Sequence, residues 1–277
     1  MEPPTLMQAT SSNQDNIYAT RSTFNITILT INTQRSKAAS SVLQKMADEY
    51  RADIVLIQEP YLVNNSLMRF GRWRTFLDQD FCRVIKAGIL VCNKNLKVNF
   101  CSNFSTSFVT TTLLSHNNKQ LYFSSVYCSP AEDIQHLIAD LQNISNNIRN
   151  HFWVISGDFN AKSPTWHSPE EDPRGYIVRE FMAQNNLVSC NTSQLPTYYS
   201  TRGESWIDLY LASIKAHRSI SYCSTLDENG ASDHRYIKTT ITTNDPAIES
   251  NVIKIKKTNW MQFQDLFKRY WPPLSIR

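Results

Sequence analysis

The sequence predicts a mixed α and β fold in which two β-sheets are covered by helices. Three observations predict it. Apolar and β-branched runs of strand length outnumber helical patterns, helical patterns follow strands at intervals, and no repeat of about 20–50 residues occurs. Hydrophobic residues make up 41% of the 277 residues and charged residues 19%, as expected for a folding chain. A helical bundle, a repeat array and a disordered chain are therefore excluded.

The first half of the chain alternates predicted strands with two predicted helices. Residues 24–31 alternate and are β-branched, which is typical of a strand. Ser36 is a suitable N-cap for a helix that ends near Tyr50, because apolar residues from Ala39 to Met46 share one face. Residues 116–119 predict a hairpin turn. The other predicted elements are strands at 54–57, 84–92, 107–114, 120–127 and 151–156 and a helix at 131–148.

The second half continues this pattern and ends in a segment of different composition. A helix is predicted from about Tyr176 to Asn186, followed by strands near 205–212, 219–224 and 234–242. Residues 243–252 contain Pro and Asp and predict a linker. Beyond it, aromatic residues at intervals of three and four predict an amphipathic helix, namely Trp260, Phe263, Phe267 and Trp271. We therefore expect a leader at 1–22, a folded domain at 23–243 and a linker with a basic aromatic tail at 244–277.

Cysteine usage and hydropathy predict an intracellular protein. The six cysteines lie far apart without a C-x-x-C pair, which favours reduced thiols over a disulfide framework or a zinc site. No run of about 18 apolar residues occurs, so we expect no membrane span. The first twenty residues lack the basic and apolar regions of a secretory signal.

The net charge of +4 is modest and unevenly distributed. Residues 244–277 hold six basic and three acidic residues, a net +3, whereas the remaining 243 residues hold 22 and 21, a net +1. A DNA-binding interpretation must therefore rest on local patches rather than on the overall charge.

Polar residues able to bind a metal or transfer a proton recur at or near the ends of apolar strands. Each one alone is more often a turn or cap residue. Because strand ends meet at one edge of a sheet, together they predict an oxygen-rich metal site beside a proton-transfer group. Carboxylates and an amide without thiols favour Mg²⁺ or Mn²⁺ over zinc. These residues are Asn32, Gln58-Glu59, Gly157 to Asn160, Asp208 and Ser232-Asp233-His234.

Six segments resemble the endonuclease/exonuclease/phosphatase superfamily, in particular the apurinic-type endonuclease domains of arthropod non-LTR, jockey-like retrotransposons. They occur in the order of that family and extend over about residues 24–242. The resemblance implies a DNase-I-like four-layer α/β/β/α sandwich of two mixed β-sheets, with the site at one end of the sheets. The segments are TINTQRSKAA (30–39), DIVLIQEPY (53–61), SSVYCSP (124–130), VISGDFNAKSPTWHS (154–168), SWIDLYLAS (205–213) and SDHRYI (232–237).

The resemblance implies a metal side of the site. Glu59 would be the principal ligand of the ion, with Asn32 and Asp233 assisting it. Apurinic endonucleases have an acid two residues after the N-terminal Asn, and this sequence has Gln34 there. One metal-side carboxylate is therefore missing, and the choice between one ion and two stays open.

The resemblance also implies a catalytic side. Asp158 would orient and deprotonate the attacking water, and Asn160 would hold that water or a phosphate oxygen. His234 would contact the scissile phosphate, with Asp208 accepting its other N–H and fixing the tautomer. Tyr127 would also reach the phosphate, at a position where DNase-I-like and lipid-phosphodiesterase relatives tend to have His.

The segment from Arg69 to Arg74 interleaves basic and aromatic residues, as a contact with the DNA backbone or bases would. An amphipathic strand with outward arginines explains it equally well. Lys162 follows the GDFN turn and is a further candidate for the DNA groove, whereas Trp166 is predicted to pack in the core. The candidate DNA contacts are Arg69, Arg72, Arg74 and Lys162.

The functional expectation is a Mg²⁺-dependent nuclear endonuclease that nicks DNA to leave a 3′-hydroxyl, with a reverse transcriptase as possible partner. The tail resembles the segment that joins such endonucleases to the polymerase, so the chain would be a truncated element product or a free-standing endonuclease. Two alternatives remain open. One is a phosphatase or phosphodiesterase of the same fold acting on a small or lipid phosphate, and the other is a catalytically inactive DNA-binding remnant.

Overall fold

A computed structural model describes residues 23–63, 66–77, 84–148, 151–201 and 203–244. The predicted leader, and the linker and aromatic tail from residue 245 onward, lie outside the described residues, so the domain boundaries stay predictions. No helix in the described part of the chain is both long enough and apolar enough to cross a bilayer.

The described elements follow the order that the sequence predicts, with additional short strands. The helices are α1 (Lys37–Glu49), α2 (Ile134–Asn147), α3 (Pro173–Gln184) and the single turn α4 (Ile214–His217). The strands are β1 (Thr23–Asn32), β2 (Ile54–Gln58), β3 (Leu62–Val63), β4 (Ser66–Leu67), β5 (Arg74–Leu77), β6 (Ala87–Val91), β7 (Lys97–Phe100), β8 (Val109–His116), β9 (Lys119–Tyr127), β10 (Phe152–Asp158), β11 (Leu187–Ser189), β12 (Tyr198–Ser200), β13 (Gly203–Ser205), β14 (Asp208–Ser213), β15 (Ile220–Thr225) and β16 (Ile237–Asn244).

Two six-stranded sheets form the centre of the fold. Their strand orders are β15-β16-β1-β2-β6-β5 and β11-β14-β10-β9-β8-β7. Both sheets are mixed, since β1 is parallel to β2 and β9 to β10, whereas β6 is antiparallel to β2 and β14 to β10. The carboxyl ends of these two parallel pairs carry the polar residues singled out in the sequence.

Three apolar clusters show that the sheets and helices form four layers. One cluster joins residues of both sheets, for example Ile28 and Phe123. A second packs α1 on the outer face of the first sheet, and a third packs α2 and α3 on the outer face of the second. The predicted α/β/β/α sandwich is thereby confirmed.

Local signals explain the ends of the elements. The Ser36 hydroxyl caps α1 by accepting from the backbone N–H of Ala39 at 3.2 Å, as predicted. Asn117 and Asn118 both have positive φ and form the predicted turn between β8 and β9. Helix α3 begins at Pro173 rather than near Tyr176, because Asp172 caps it and proline favours the first turn.

Candidate active site

Neighbouring strand ends bring the predicted catalytic residues together. Asn32 pairs in register with Gln58 across β1 and β2, which places Glu59 one residue beyond the same edge. Asp158 pairs with Tyr127 on one side and with Asp208 on the other. Because the two sheets stack face to face, both edges open on one site.

Asp158 lies at the centre of this site, with only 2% of its surface exposed. One carboxylate oxygen, Oδ2, accepts from the Asn32 side-chain amide at 2.9 Å, and the other accepts from the backbone N–H of Asn160 at 3.0 Å. Burial and the nearby Asp208 carboxylate raise the pKa of Asp158 to about 7. A carboxylate with this pKa can accept a proton near neutral pH.

The His234 imidazole is held between two carboxylates. Its Nδ1 is 2.8 Å from Asp208 Oδ2 and its Nε2 is 4.0 Å from Asp158 Oδ2, while the ring meets the edge of Tyr198. Burial lowers the pKa of His234, but the charge and hydrogen bond of Asp208 and the charge of Asp158 outweigh it and raise the pKa to about 9. The imidazole therefore carries a proton at neutral pH.

The Glu59 side of the site is more open, since 18% of this side chain is exposed. Arg35 Nε lies 3.6 Å from Glu59 Oε1, and the Glu59 charge also acts on the Tyr127 phenol. Burial and the Glu59 charge raise the pKa of Tyr127 above its usual range, so the phenol stays protonated and keeps a proton that it can donate.

The loop before His234 is tied to the end of β1. Ser232 Oγ donates to the backbone carbonyl of Asn32 at 2.7 Å. The Gln34 side-chain oxygen accepts from the backbone N–H of Asp233 at 3.1 Å. The backbone N–H of Gln34 donates to Asn32 Oδ1 at 2.8 Å. The Gln34 side chain thus links the loop after β1 to the loop before His234.

Asn160 completes the site in a left-handed conformation with φ 48°. Its side-chain amide donates to the Cys128 carbonyl at 3.1 Å, which joins the loops after β9 and β10. Gly157 lets β10 lie close to β9, because a Cβ on this residue would lie 2.0 Å from the Val126 carbonyl oxygen.

Comparison with known proteins shows which proteins this chain resembles in sequence and in fold. A family described as endonuclease-reverse transcriptase matches residues 121–238. The structure resembles the endonuclease domain of TRAS1, a telomere-specific non-LTR retrotransposon, with a TM-score of 0.73 and 26% sequence identity over 78% of this chain and 98% of that one. The chain is thus similar, in part of its sequence and in its fold, to the endonuclease regions of non-LTR retrotransposon proteins.

Two curated retrotransposon proteins are also similar to this chain. The Pol polyprotein of the type-1 element R1 of Bradysia coprophila is 23% identical over 158 residues, 52% of this chain and 16% of that protein. The RNA-directed DNA polymerase of the mobile element jockey of Drosophila melanogaster is 32% identical over 77 residues, which are 28% of this chain and 8% of that protein. The matches therefore span less than a fifth of either protein.

The donor atoms present fit a hard cation on the Glu59 side. Glu59 has a partly exposed carboxylate, and the Asn32 side-chain oxygen, which accepts from the Gln34 backbone N–H, keeps a second lone pair, so both could serve as the oxygen ligands that Mg²⁺ or Mn²⁺ requires. A second group, Asp158, Asp208 and His234, has ligand atoms within 4.8 Å of one another. Its imidazole is protonated and hydrogen-bonded to Asp208, so it would have to lose a proton before binding any metal. The Glu59 side is therefore the better cation site.

The candidate DNA contacts differ in what their side chains already bind. Arg69, Arg72 and Lys162 are exposed. The Arg74 guanidinium instead donates to the Leu96 carbonyl at 2.6 Å. Their contacts with DNA stay predictions.

The aromatic residues between these arginines belong to the protein core. Phe70 is buried, and Trp73 stacks on it with ring centroids 5.3 Å apart. Only Arg74 lies in a strand, so neither a run of stacking rings nor an amphipathic strand from 69 to 74 describes this segment. The predicted packing role of Trp166 is confirmed, because this side chain is fully buried.

Sequence reasoning named Gln58 and Gln34 but missed the hydrogen bonds that they make. Gln58 is fully buried, and its side-chain amide donates to Ser125 Oγ of the opposite sheet at 2.9 Å. A glutamine that ends an otherwise apolar run was the available signal. Gln34 gave no such signal and was treated only as a missing acid.

Proposed function

We propose that this chain is a Mg²⁺- or Mn²⁺-dependent DNA endonuclease that hydrolyses one phosphodiester bond and leaves a 3′-hydroxyl and a 5′-phosphate. The observation that carries the proposal is the buried arrangement of Asp158, His234 and Asp208 beside the open Glu59 carboxylate. The similarity to a retrotransposon endonuclease domain supports the same reaction class.

Asp158 is suited to act on the attacking water. Asn32 and Asn160 hold its two carboxylate oxygens in one orientation, so the side chain needs little rearrangement when it accepts a proton. Its raised pKa makes it a stronger base than an exposed aspartate. Asn160 lies next to this carboxylate and would orient the water or a phosphate oxygen.

His234 is suited to stabilise the charge that grows on the phosphate. Asp208 binds Nδ1 and leaves Nε2–H free to donate to a phosphate oxygen. Tyr127 offers a second donor on the Glu59 side. Donors that are already oriented stabilise a developing charge without reorganisation.

Glu59 would hold the cation, assisted by Asn32 and Asp233. When bound, Mg²⁺ neutralises phosphate charge and polarises the phosphorus–oxygen bonds. Arg35, beside Glu59 in this structure, would then be free to turn toward the DNA backbone. In the chain's biological setting the partners would be nuclear DNA and a reverse transcriptase that extends the new 3′-end.

A plasmid assay tests the proposal. Purified protein is incubated with supercoiled plasmid and Mg²⁺, with EDTA as control, and DNA binding is measured in parallel. We expect nicked circles only with the metal, and a polymerase should extend them without prior phosphatase treatment, because the 3′-end is a hydroxyl. Binding without nicking would indicate a DNA-binding remnant. Hydrolysis of a small phosphate ester without either would indicate a phosphatase of the same fold.

Glu59→Gln identifies the metal ligand. An amide is a poorer ligand for a hard cation than a carboxylate, so this variant should lose metal-dependent nicking while remaining folded. The matched control is Glu49→Gln, since Glu49 is exposed near the end of α1. Normal nicking by folded Glu59→Gln protein would contradict the ligand assignment.

A further inference from the structure

Arg174 lies outside the set of predicted site residues, yet its side chain binds the loops that carry them. It is the second residue of α3 and is half-buried. Its guanidinium donates to three backbone carbonyls rather than to a carboxylate. These are Glu132 at 2.6 Å, Phe159 at 2.9 Å and Cys128 at 3.1 Å.

The three carbonyls belong to two loops beside the catalytic aspartate. Those of Cys128 and Glu132 lie after β9, and that of Phe159 lies after β10, which ends at Asp158. Cys128 follows Tyr127 directly, and its carbonyl also accepts from the Asn160 side chain. Phe159 stands between Asp158 and Asn160. One planar guanidinium therefore fixes the loop after β9 to the loop after β10, at the point where both deliver side chains to the site.

The start of α3 is itself immobilised against the same loop. The Asp172 carboxylate accepts from the backbone N–H groups of Gly175 at 2.6 Å and Lys162 at 3.1 Å, and the Asp172 N–H donates to the Lys162 carbonyl at 3.1 Å. A Cβ on Gly175 would lie 1.7 Å from that carbonyl oxygen, so only glycine allows this approach. The backbone that carries Arg174 is therefore held in place against the loop after β10.

We propose that Arg174 is a positioning residue for phosphodiester hydrolysis, a role that rests on the proposed function. Its guanidinium holds Asn160 and Asp158 in the geometry that orients the attacking water. A lysine at this position keeps the charge but has one ammonium group in place of the fork, so it cannot reach all three carbonyls in one plane. Replacing Arg174 by lysine should therefore slow the chemical step more than it weakens DNA binding.

Single-turnover nicking of bound plasmid by Arg174→Lys tests this role. We expect the rate constant to fall about 10–100-fold, the usual effect of removing a side chain that orients a catalytic group. The fraction of enzyme that reacts, and the affinity for DNA, should stay as in the wild type. A purely structural residue gives the opposite result, a smaller reacting fraction with a normal rate constant.

Chemical rescue and a matched control sharpen the test. In Arg174→Ala, added methylguanidinium should restore part of the rate, whereas methylammonium at the same concentration should not. The control Arg179→Lys changes an arginine of the same helix whose guanidinium binds the carboxylates of Glu171 and Glu180, and its rate should match the wild type.

The outcomes separate this inference from the proposed function. A wild-type protein without nicking activity overturns both. Where the wild type is active, two results overturn the inference alone. One is an unchanged rate constant in Arg174→Lys, and the other is equal recovery of the Arg174→Ala rate by both additives. Arg174 variants that do not fold, with or without methylguanidinium, also overturn it, because the residue then supports the whole fold.

Discussion

The two ends of the space between the sheets are built from the same strands but from different side chains. At one end the inward positions are apolar, and at the other they are hydroxyls, amides and acids, all buried. In each strand the change from an apolar side chain to a hydroxyl falls between two successive inward positions. In β1 the inward series is Ile26, Ile28, Thr30 and Asn32, in β9 it is Leu121, Phe123, Ser125 and Tyr127, and in β10 it is Phe152, Val154, Ser156 and Asp158.

The polar end replaces apolar contacts with hydrogen bonds across the sheets. Thr30 Oγ1 donates to Ser156 Oγ at 3.0 Å, and Gln58 donates to Ser125 Oγ at 2.9 Å, just behind the residues proposed to be catalytic. Buried polar groups stabilise a fold only when they are satisfied, but they also fix a geometry. The comparison suggests that the apolar end supplies stability and the polar end supplies alignment.

The largest expected effect is on stability at the apolar end. Phe123→Ala should lower the free energy of unfolding by about 3–5 kcal/mol, because it leaves a cavity between the sheets. The single-turnover nicking rate of the folded protein should not change. Urea denaturation and nicking at low temperature measure the two quantities. A rate that falls with stability would show that the two ends do not act separately.

Next in size is the effect on rate at the polar end. His234→Ala should lower the single-turnover rate about 10²–10³-fold, as expected for the loss of one donor to the transition state. Asp208→Asn should act in the same direction, because the imidazole loses the charge that keeps it protonated. Affinity for DNA should change little. A variant that binds poorly but cuts at the normal rate would make His234 a binding residue only.

A smaller effect is a difference in pH dependence. The pKa of His234 is about 9 in the folded protein and 6.5 ordinarily, so its contribution to stability is complete below pH 6.5 and is lost as pH rises through about 9. Wild type and His234→Ala, both metal-free in EDTA, should therefore show unfolding free energies whose difference changes between pH 6.5 and 9. Parallel profiles over this range would contradict the assignment.

The smallest effect is a coupling between two hydroxyls. Thr30→Val and Ser156→Ala each remove one partner of a buried hydrogen bond between the sheets. In a double-mutant cycle the coupling energy should be about 0.5–1.5 kcal/mol. Thr112→Val is a useful control, since this buried hydroxyl has no partner among the described residues and should not couple to Ser156. A zero coupling for the first pair would mean that this contact does not link the sheets.

The inner part of the fold was predictable because its signals are local. The cap at Ser36, the apolar face of α1, the turn at Asn117 and the continuous apolar run of β2 can each be read in a short window. Edge strands β5 and β7 were missed or misassigned, because four-residue strands with partly exposed positions carry little pattern. The start of α3 at Pro173 had a signal that was overlooked, the Asp-Pro pair.

The site was only partly predictable. Strand ends and the family resemblance identified Asp158, Asp208 and His234, which the structure brings together. The bond between Asn32 and Asp158 joins residues 126 positions apart in different sheets, and it depends on how the sheets stack. The carbonyls that Arg174 binds are likewise invisible in sequence, because backbone groups have no residue signature.

The left-handed residues at the strand ends have an evolutionary consequence. Four of these residues have φ between 42° and 55°, namely Gln34, Arg35, Glu59 and Asn160. Such a conformation costs a non-glycine residue about 1–2 kcal/mol, and glycine avoids that cost. Under selection for thermostability alone, glycine should therefore accumulate at these four positions, and two side chains of the proposed site, those of Glu59 and Asn160, would be lost early. In homologues that are not selected for the proposed cleavage, the loss of that function and the gain of stability would start at the same codons.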